Sequence, residues 1–258
     1  MEERKASRIN KTAWEYRAYE FWNNQHTPEE LVEKIKRDPL ARLRYHQKYL
    51  SDVRGLKIAN PCGSNGRIAV PLALFGADVT IFDISEENKK YALELAECAG
   101  VKIEYIVCDF YDAAESGYSN TYDIAYLEGG ILHYFHDINR FTSVLYDILK
   151  PDGRLILSDF HPFRKILRKG PHALSQGNIT DGDYFDSAVH KGDVAYRSFF
   201  PESEQTYFPD CSLRFYTISE IINAVIGAGF VLKEFIEHSN WENHKLPGEF
   251  TIIADKQK

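Results

Sequence analysis

The sequence predicts an α/β fold, in which a doubly wound, mostly parallel sheet of seven strands carries helices on both faces. Short runs of β-branched and aromatic residues alternate with helical patterns between residues 57 and 160. A turn with two glycines joins the first strand of this series to its helix. Near the end of the chain, two more strands are joined by a short segment containing Leu246-Pro247-Gly248, which favours an antiparallel hairpin over another crossover.

Residues 1–54 precede the first strand and are helical in pattern. Thr27, followed by proline and two glutamates, predicts a helix start, because threonine caps free N–H groups and proline fits the first turn. Residues 13–22 are rich in aromatic side chains, with Trp14 and Tyr19 among them. These aromatics either pack a helical layer onto the sheet or form a lid over a ligand, and both interpretations stay open.

The first strand–helix–strand unit lies between residues 57 and 85. Its expected elements are a strand, a helix and a strand over residues 57–60, 67–75 and 79–82. Gly63 and Gly66 in the turn after the first strand let the backbone come close to a ligand. Asp83 follows about 20 residues after Gly63, where nucleotide-binding α/β folds place a carboxylate that accepts hydrogen bonds from ribose hydroxyls. The unit therefore predicts a nucleoside-cofactor site.

Acidic residues also follow the third and fourth expected strands. The remaining parallel strands are expected at residues 101–107, 122–127 and 154–160. Asp109 follows the third strand, and Glu128 follows the fourth. In an open α/β sheet the ligand lies across the carboxyl ends of the strands, so these acids and Asp83 should meet at one edge. Asp83 would bind the ribose and Asp109 the exocyclic amine of adenine.

The alternation of strands and helices stops after residue 160. Residues 161–216 contain several pairs of aromatic residues and are too long for a simple connection, so we expect an inserted cap or pocket wall. Thr217 then begins the helix that precedes the C-terminal hairpin. The expected organisation is a helical lid over residues 1–54, a cofactor-binding core over 55–160 and 217–258, and the inserted cap.

Composition restricts the class of partner and the compartment. The net charge is −7, from 31 basic and 38 acidic residues, which argues against a nucleic-acid partner. The four cysteines have no CxxC spacing and suggest neither a zinc site nor a disulfide framework. There is no apolar run of membrane length and no signal peptide, so we expect a cytoplasmic protein without a membrane partner, acting as a monomer or a homodimer.

The order of these motifs resembles the class I S-adenosylmethionine-dependent methyltransferases, which have a Rossmann-like fold. The resemblance covers residues 55–160, with a weaker echo in the closing helix and hairpin. Ile81-Phe82-Asp83-Ile84-Ser85 looks like the second motif of the family, and Cys108-Asp109-Phe110 like its adenine-binding motif. The segment before the fifth strand, Leu149-Lys150-Pro151-Asp152-Gly153-Arg154, resembles the corresponding family turn.

The glycine turn departs from the family pattern at several positions. Pro61 stands where the first glycine is usual, and Asn60 or Ala59 where an acid is usual. Asn65 either replaces the third glycine or is an insertion, and asparagine tolerates positive φ, so the shape of the turn can survive. The departures bear on how the amino group of the cofactor is held.

The resemblance implies S-adenosylmethionine as the cofactor. Aromatic side chains have a physical reason to be near it, because a sulfonium cation is attracted to aromatic faces. The residues expected to bind the cofactor are Trp14, Tyr19, Asn60, Pro61, Gly63, Asn65, Asp83, Ile84, Asp109, Phe110 and Glu128. The expected reaction is an in-line transfer of a methyl group to an oxygen or nitrogen atom of an unidentified small molecule with apolar or planar parts.

An O–H or ammonium acceptor must also lose a proton, which calls for a base. Glu128, His133 and His161 are the candidate catalytic residues, because they follow the fourth and fifth strands. Each has an alternative interpretation: Glu128 contacts the cofactor, His133 orders the loop at a helix start, and His161 fixes a loop by a hydrogen bond. Asp159 and His161 are too few ligands for a metal, so no metal is expected.

Two other functions fit parts of the sequence. Pro61-x-Gly63-x-x-Gly66 is also a degraded dinucleotide fingerprint, which would suit an NAD(P)-dependent oxidoreductase. A catalytically silent protein that still binds the cofactor is the other alternative, because the glycine turn departs from the family pattern.

Overall fold

The computed structural model describes residues 2–166, 182–241 and 243–258. The strands in these ranges are β1 (Lys57–Pro61), β2 (Asp78–Asp83), β3 (Glu104–Val107), β4 (Tyr122–Glu128), β5 (Leu149–Phe160), β6 (Val189–Gly192), β7 (Cys211–Arg214), β8 (Phe230–Ser239) and β9 (Pro247–Lys256). Seven of them form one sheet in the order β3-β2-β1-β4-β5-β9-β8. Strands β1 to β5 are parallel, and β9 runs antiparallel to both of its neighbours. The predicted fold class and hairpin are thereby confirmed.

Helices precede the sheet and cover both of its faces. The α-helices in the described ranges are α1 (Glu2–Glu15), α2 (Ala18–Gln25), α3 (Pro28–Arg37), α4 (Gln47–Leu50), α5 (Ala69–Leu74), α6 (Glu86–Ala99), α7 (Ile138–Ile148), α8 (Phe163–Ile166), α9 (Glu202–Gln205) and α10 (Ile218–Gly227). The helix start predicted at Thr27 is present as a capping box. The Thr27 hydroxyl accepts from the Glu30 N–H, and the Glu30 carboxylate accepts from the Thr27 N–H.

The third strand is shorter than predicted. It begins at Glu104 instead of residue 101, because Gly100 takes a positive φ of 76° and the Val101 N–H donates to Ala96 O. Residues 100 and 101 thus complete the end of α6. The prediction missed β6 and β7, which pair antiparallel as a separate two-stranded sheet in the insert. Strands of four residues carry too little alternation to be recognised in isolation.

The parallel sheet is buried on both faces. One face packs against α7 and α10 around Phe141, Leu145 and Phe250. The opposite face packs around Ile58, Leu72 and related side chains. A third hydrophobic cluster joins α1 and α2 to the described part of the insert. Its buried members are Ala13, Ala18, Phe21, Val194, Tyr196, Phe200, Phe208, Cys211 and Leu213. The N-terminal helices and the insert therefore share one packing layer.

None of the helices in the described ranges is both long and apolar enough to cross a bilayer.

Candidate functional site

A cavity of about 520 Å³ lies over the carboxyl ends of β1, β2 and β4. We call the core residues that line it the floor: Asn60, Cys62, Gly63, Ser64, Arg67, Ile68, Phe82, Asp83, Ile84, Cys108, Asp109, Phe110, Glu128, Gly129, Gly130, Ile131, His133, Tyr134, Phe135 and Phe160. We call the residues from α1, α2 and the insert the roof: Ser7, Asn10, Trp14, Phe21, Trp22, Asp193, Ala195, Tyr196 and Phe199. The cavity has a polar floor and a strongly aromatic roof.

The glycine turn begins the floor. A Cβ at Gly63 would overlap the side-chain oxygen of Asn60, so only glycine fits there. Positive φ occurs at Cys62 (54°), Ser64 (49°) and Gly66 (76°). The expectation that Asn65 takes positive φ was therefore wrong. Asn65 is buried, and its side-chain oxygen accepts from the Arg67 N–H at 3.4 Å, a local turn that leads into α5.

Asp83 joins the turn to the start of α6. One carboxylate oxygen accepts from the Ser64 N–H at 3.0 Å, and the other accepts from the Ser85 N–H at 3.0 Å and from the Asn88 side-chain amide at 3.4 Å. Burial raises the pKa of Asp83, and these hydrogen bonds oppose that rise. Asp83 also lines the cavity, so its carboxylate stands where a ligand can reach it.

Asp109 stands at the end of the neighbouring strand β3. Its carboxylate accepts from the Tyr111 N–H at 3.2 Å and caps the short 3₁₀ turn Phe110–Asp112. Phe110 is buried beneath the cavity, with its ring 5.9 Å from that of Phe82. Two carboxylates and apolar side chains thus lie at the ends of adjacent strands, as the sequence predicts.

The loop after β4 is held by a buried carboxylate. Asp159 of β5 accepts from the N–H groups of Gly130, Ile131 and Leu132 at 3.0, 2.8 and 2.8 Å. These bonds organise the backbone just before His133, which lines the cavity. Asp159 was considered in the sequence only as a metal ligand, because its role depends on a loop about 28 residues away.

His133 is enclosed by aromatic rings. Its imidazole stacks on Phe215, with centroids 6.0 Å apart, and contacts Tyr134 at 4.2 Å. Burial lowers the pKa of His133, although the charge of Asp159 opposes this. The imidazole is therefore neutral at pH 7 and able to accept a proton.

Glu128 is the acid at the end of β4. Its Oε2 accepts from the Tyr126 hydroxyl at 2.7 Å, and its Oε1 lies 3.9 Å from the Arg44 guanidinium. Burial raises the pKa of Glu128, while the Tyr126 hydrogen bond and the charges of Arg67 and Arg44 act against this.

Four of the residues expected in the site do not line the cavity: Tyr19, Pro61, Asn65 and His161. The Tyr19 hydroxyl donates to Glu94 at 2.6 Å, on the outer side of α6. Arg17, with φ of 57°, separates α1 from α2, so the aromatic segment is two helices instead of one and Tyr19 faces away from Trp14. The helical spacing assumed from the sequence does not hold across that break.

His161 lies against the C-terminal hairpin. Its backbone N–H donates to Gly248 O at 2.9 Å. In its imidazole, Nδ1 accepts from the Phe163 N–H at 3.2 Å, and Nε2 is 3.0 Å from a Glu237 oxygen. Burial lowers its pKa, against the effect of Glu237. These contacts match the loop-fixing interpretation of His161.

Asn10 connects the parts of the roof and was missed from the sequence. Its buried side-chain amide donates to Tyr134 O and Ser212 O, both at 3.1 Å, and accepts from the Ser212 N–H at 2.7 Å. The Tyr196 hydroxyl adds a bond to Tyr16 O at 2.9 Å. No local pattern reveals such bonds, because their partners are about 120–200 residues away.

Arg67 was also missed. It lines the cavity with its guanidinium 5.9 Å from the Trp22 ring centre, and no ion pair of Arg67 is found among the described residues. The Arg67 residue is exposed, so its cation lies at the rim of the cavity. A cation placed there favours a ligand with an anionic group.

Within the part of the chain that the structure describes, no group of three histidine, cysteine, aspartate or glutamate side chains is arranged to hold a metal ion.

Part of the chain matches a known protein family. The family profile described as a methyltransferase domain matches residues 61–157, which contain the glycine turn and the ends of β2, β3 and β4. Residues 61–157 of the chain are therefore similar to a methyltransferase domain, which agrees with the family expected from the sequence.

The curated relatives of the methyltransferase domain share part of their length with it. A ubiquinone biosynthesis O-methyltransferase of Rickettsia canadensis is 27% identical over 157 residues, which are 60% of this chain and 61% of that protein. The mitochondrial enzyme of the same description from Bos taurus is 26% identical over 150 residues, 55% of this chain and 40% of that protein. The chain thus spans about three fifths or less of the length of these relatives.

Solved structures share the fold of the methyltransferase domain. An S-adenosylmethionine dependent methyltransferase from Mesorhizobium loti matches with a TM-score of 0.62 and 21% identity, over 81% of this chain and 95% of that one. Magnesium protoporphyrin IX methyltransferase from Synechocystis, solved with bound SAH, matches with a TM-score of 0.58 and 15% identity, over 98% and 100%. A 4+2 cyclase matches with a TM-score of 0.57 and 14% identity, over 85% and 80%.

Proposed function

We propose that this protein is an S-adenosylmethionine-dependent methyltransferase that methylates an oxygen or nitrogen atom of a small molecule with an apolar, planar part. The observation that carries the proposal is the cavity itself, which combines a carboxylate-bearing floor with an aromatic roof. The carboxylates of the floor suit the hydroxyl and amine groups of a nucleoside, and the aromatic roof attracts a sulfonium cation. The cavity volume of about 520 Å³ is typical of small-molecule sites.

The residues present fit the cofactor at each end. Asp83 would accept from ribose hydroxyls and Asp109 from the adenine amine, with Ile84 and Phe110 against the adenine ring. The methionine end would lie over Gly63, where the missing side chain lets the backbone approach. When bound, the sulfonium supplies an activated methyl group for an in-line displacement.

The acceptor would occupy the part of the cavity under the roof. Trp14, Tyr196 and Phe199 offer flat apolar surface there. His133, neutral and at the end of the loop held by Asp159, would take the proton from the acceptor O–H or N–H as the methyl group is transferred. An oxygen acceptor is supported by the relatives described as O-methyltransferases.

The proposal includes the remaining expectations about the setting. The protein would act in the cytoplasm, as a monomer or a homodimer, without a nucleic-acid or membrane partner. The net charge of −7 supports the first of these exclusions, because a phosphate backbone would be repelled.

Binding measurements separate this function from its rivals. Isothermal titration calorimetry should show heat with S-adenosylhomocysteine and none with NADH. Heat with NADH alone would favour the NAD(P)-dependent oxidoreductase and overturn the proposal. No binding of either ligand would overturn the proposal, whereas binding of S-adenosylhomocysteine without any methyl transfer would favour the catalytically silent alternative. The 4+2 cyclase of the same fold shows that this fold serves other chemistry.

Turnover can be tested with S-adenosylmethionine labelled in the methyl group and a panel of phenols, carboxylates and aromatic amines, with products identified by mass spectrometry. With an acceptor found in this way, His133→Ala should lower kcat about 100-fold while the Kd of S-adenosylhomocysteine stays unchanged. His161→Ala is the comparison, because His161 does not line the cavity. Equal losses from both variants would contradict the role of His133.

A further inference from the structure

A chain of buried hydrogen bonds runs beneath the floor and ends at Glu128. The Tyr126 hydroxyl donates to Glu128 at 2.7 Å and lies 2.9 Å from His46 Nδ1. On its other side, His46 Nε2 is 2.9 Å from the Thr251 hydroxyl, which is 2.8 Å from His238 Nε2. The His46, Tyr126 and Thr251 side chains are almost completely buried, so the two bonds that join these three residues are shielded from bulk water.

The chain has one consistent direction. Tyr126 has a single hydroxyl hydrogen, and it points to the Glu128 carboxylate. His46 is neutral, because burial lowers its pKa to about 4. Its Nδ1–H must therefore donate to the Tyr126 oxygen, and its Nε2 accepts from the Thr251 hydroxyl. His46 thus fixes the hydroxyl of Tyr126 in the orientation that serves Glu128.

An unusual backbone conformation brings His46 to this place. Arg44 has φ of 45° and ψ of −117°, and positive φ is a conformation that favours glycine. Its guanidinium contacts both oxygens of the buried Glu249, at 3.2 and 3.0 Å, and also lies near Glu128. Strained residues of this kind persist where the surroundings determine them, and they cluster at functional sites. Arg44 and His46 both converge on the surroundings of Glu128.

The glycine turn itself offers no acid to a ligand. Asn60 occupies the end of β1, and its side-chain NH₂ donates to Tyr126 O at 2.8 Å. The side-chain oxygen of Asn60 is enclosed against Gly63. One of the two strands that pair with β1 is β4, which ends in Glu128 at the cavity. A carboxylate is thus supplied by the neighbouring strand.

We propose that His46, acting through Tyr126, positions Glu128 to bind the ammonium group at the methionine end of the methyl donor, in place of the acid that the glycine turn lacks. The inference rests on the proposed function and deepens it. Glu128 is then a binding residue, and His46 and Tyr126 are positioning residues. Arg67, on the same side of the cavity, is suited to the carboxylate of the same amino-acid end.

A pair of ligands isolates the ammonium contact. S-adenosylhomocysteine carries the amino-acid end, whereas 5′-methylthioadenosine lacks it but keeps the adenosine. Glu128→Gln should weaken binding of S-adenosylhomocysteine about tenfold and leave 5′-methylthioadenosine within about twofold. Tyr126→Phe keeps the ring and should weaken S-adenosylhomocysteine about three- to tenfold with the same selectivity.

Two substitutions of His46 separate positioning from general packing. In His46→Asn the amide stands near the position of Nδ1 and can still meet Tyr126, whereas in His46→Gln it stands near Nε2 and meets Thr251 instead. Each variant loses one buried hydrogen bond, but only His46→Gln should reproduce the selective loss seen for Tyr126→Phe. Ser158→Ala is the control, because Ser158 bonds Thr251 at 3.3 Å and stands outside the path to Glu128.

The pH dependence gives a second readout. Glu128 is faced by Tyr126, Arg44, Arg67 and Glu249, and burial raises its pKa. Affinity for S-adenosylhomocysteine should therefore fall as the pH is lowered and Glu128 becomes protonated, while 5′-methylthioadenosine is unaffected. In Tyr126→Phe the midpoint should move to higher pH, because the hydrogen bond that opposes the rise in pKa is gone.

The outcomes are distinguishable. If the wild-type protein binds neither ligand, the proposed function fails. If it binds S-adenosylhomocysteine but Glu128→Gln and Tyr126→Phe leave the ratio of the two affinities unchanged, only the inference about Glu128 is overturned. Equal effects of His46→Asn and His46→Gln on that ratio would overturn the positioning role of His46, and the isosteric Tyr126→Phe keeps this test available if a His46 variant does not fold.

Discussion

The floor and the roof of the cavity are held in different ways. In the floor, Asp83 is held by N–H groups of the turn and of the next helix, no more than 19 residues away. In the roof, Asn10 and Tyr196 reach partners 202 and 180 residues away. Short loops cost little entropy to close, whereas the roof exists only once the whole chain has folded. The floor should therefore tolerate changes in the roof better than the reverse.

The largest expected effect is at Asp159, which holds a loop of the floor from below. Asp159→Asn places an amide donor against the backbone N–H groups of Gly130, Ile131 and Leu132. We expect the free energy of unfolding, measured with urea at pH 7, to fall by about 2–4 kcal/mol. Asp152→Asn is the control, because Asp152 is an exposed acid near the start of β5 whose ion pair with Lys258 is also exposed, and it should change stability by less than about 0.5 kcal/mol. Similar losses in both variants would contradict this account of the floor.

The polar layer beneath the floor should make stability depend on pH. His46 is neutral in the folded protein, with its pKa lowered to about 4 by burial, and has an ordinary pKa near 6.5 when unfolded. As the pH falls through 6.5 the unfolded state binds a proton first, so stability is lost between pH 6.5 and 4. The contribution is about 2–3 kcal/mol. Urea titrations at several pH values should show this loss, and His46→Asn should reduce it. A slope unchanged by that substitution would assign the effect to other groups.

Ligand affinity should respond most to the carboxylate at the end of β2. Asp83→Ala should weaken binding of S-adenosylhomocysteine by about 1–3 kcal/mol in calorimetry, the cost of unmade buried hydrogen bonds. Asp78→Ala changes an exposed acid at the opposite end of the same strand and should leave the affinity unchanged. An unaltered dissociation constant for Asp83→Ala would show that the ribose lies elsewhere.

The roof should contribute to affinity with less effect on the fold. Trp14→Leu removes a ring that packs edge-on against Tyr134 and Tyr196, and should weaken binding of S-adenosylhomocysteine by about 1 kcal/mol. Tyr19→Phe is the control for this variant. Tyr19 lies outside the cavity, so its variant should bind as the wild type does. If Tyr19→Phe weakened binding more than Trp14→Leu, Tyr19 and not Trp14 would face the ligand.

The same contrast explains what the sequence could predict. The floor follows from local pattern, since parallel strands end at one edge and acids placed just after them must meet there. Asp83 and Asp109 were therefore recognisable. The strands of the insert were not, because four residues carry too little alternation to be recognised. The partners of Asn10 were not, because they lie 124 and 202 residues away in the sequence. Tyr19 was wrongly expected in the site, because the positive φ of Arg17 changes the direction of the helix before it.

The side chain of Asn10 has a kinetic consequence. One amide bonds the N-terminal helix to the loop after β4, through Tyr134, and to β7 of the insert, through Ser212. Those three parts of the chain cannot separate one at a time without breaking bonds at the same residue. Movement of α1 away from the sheet would break all of these bonds at once, and we expect this to slow any opening of the roof.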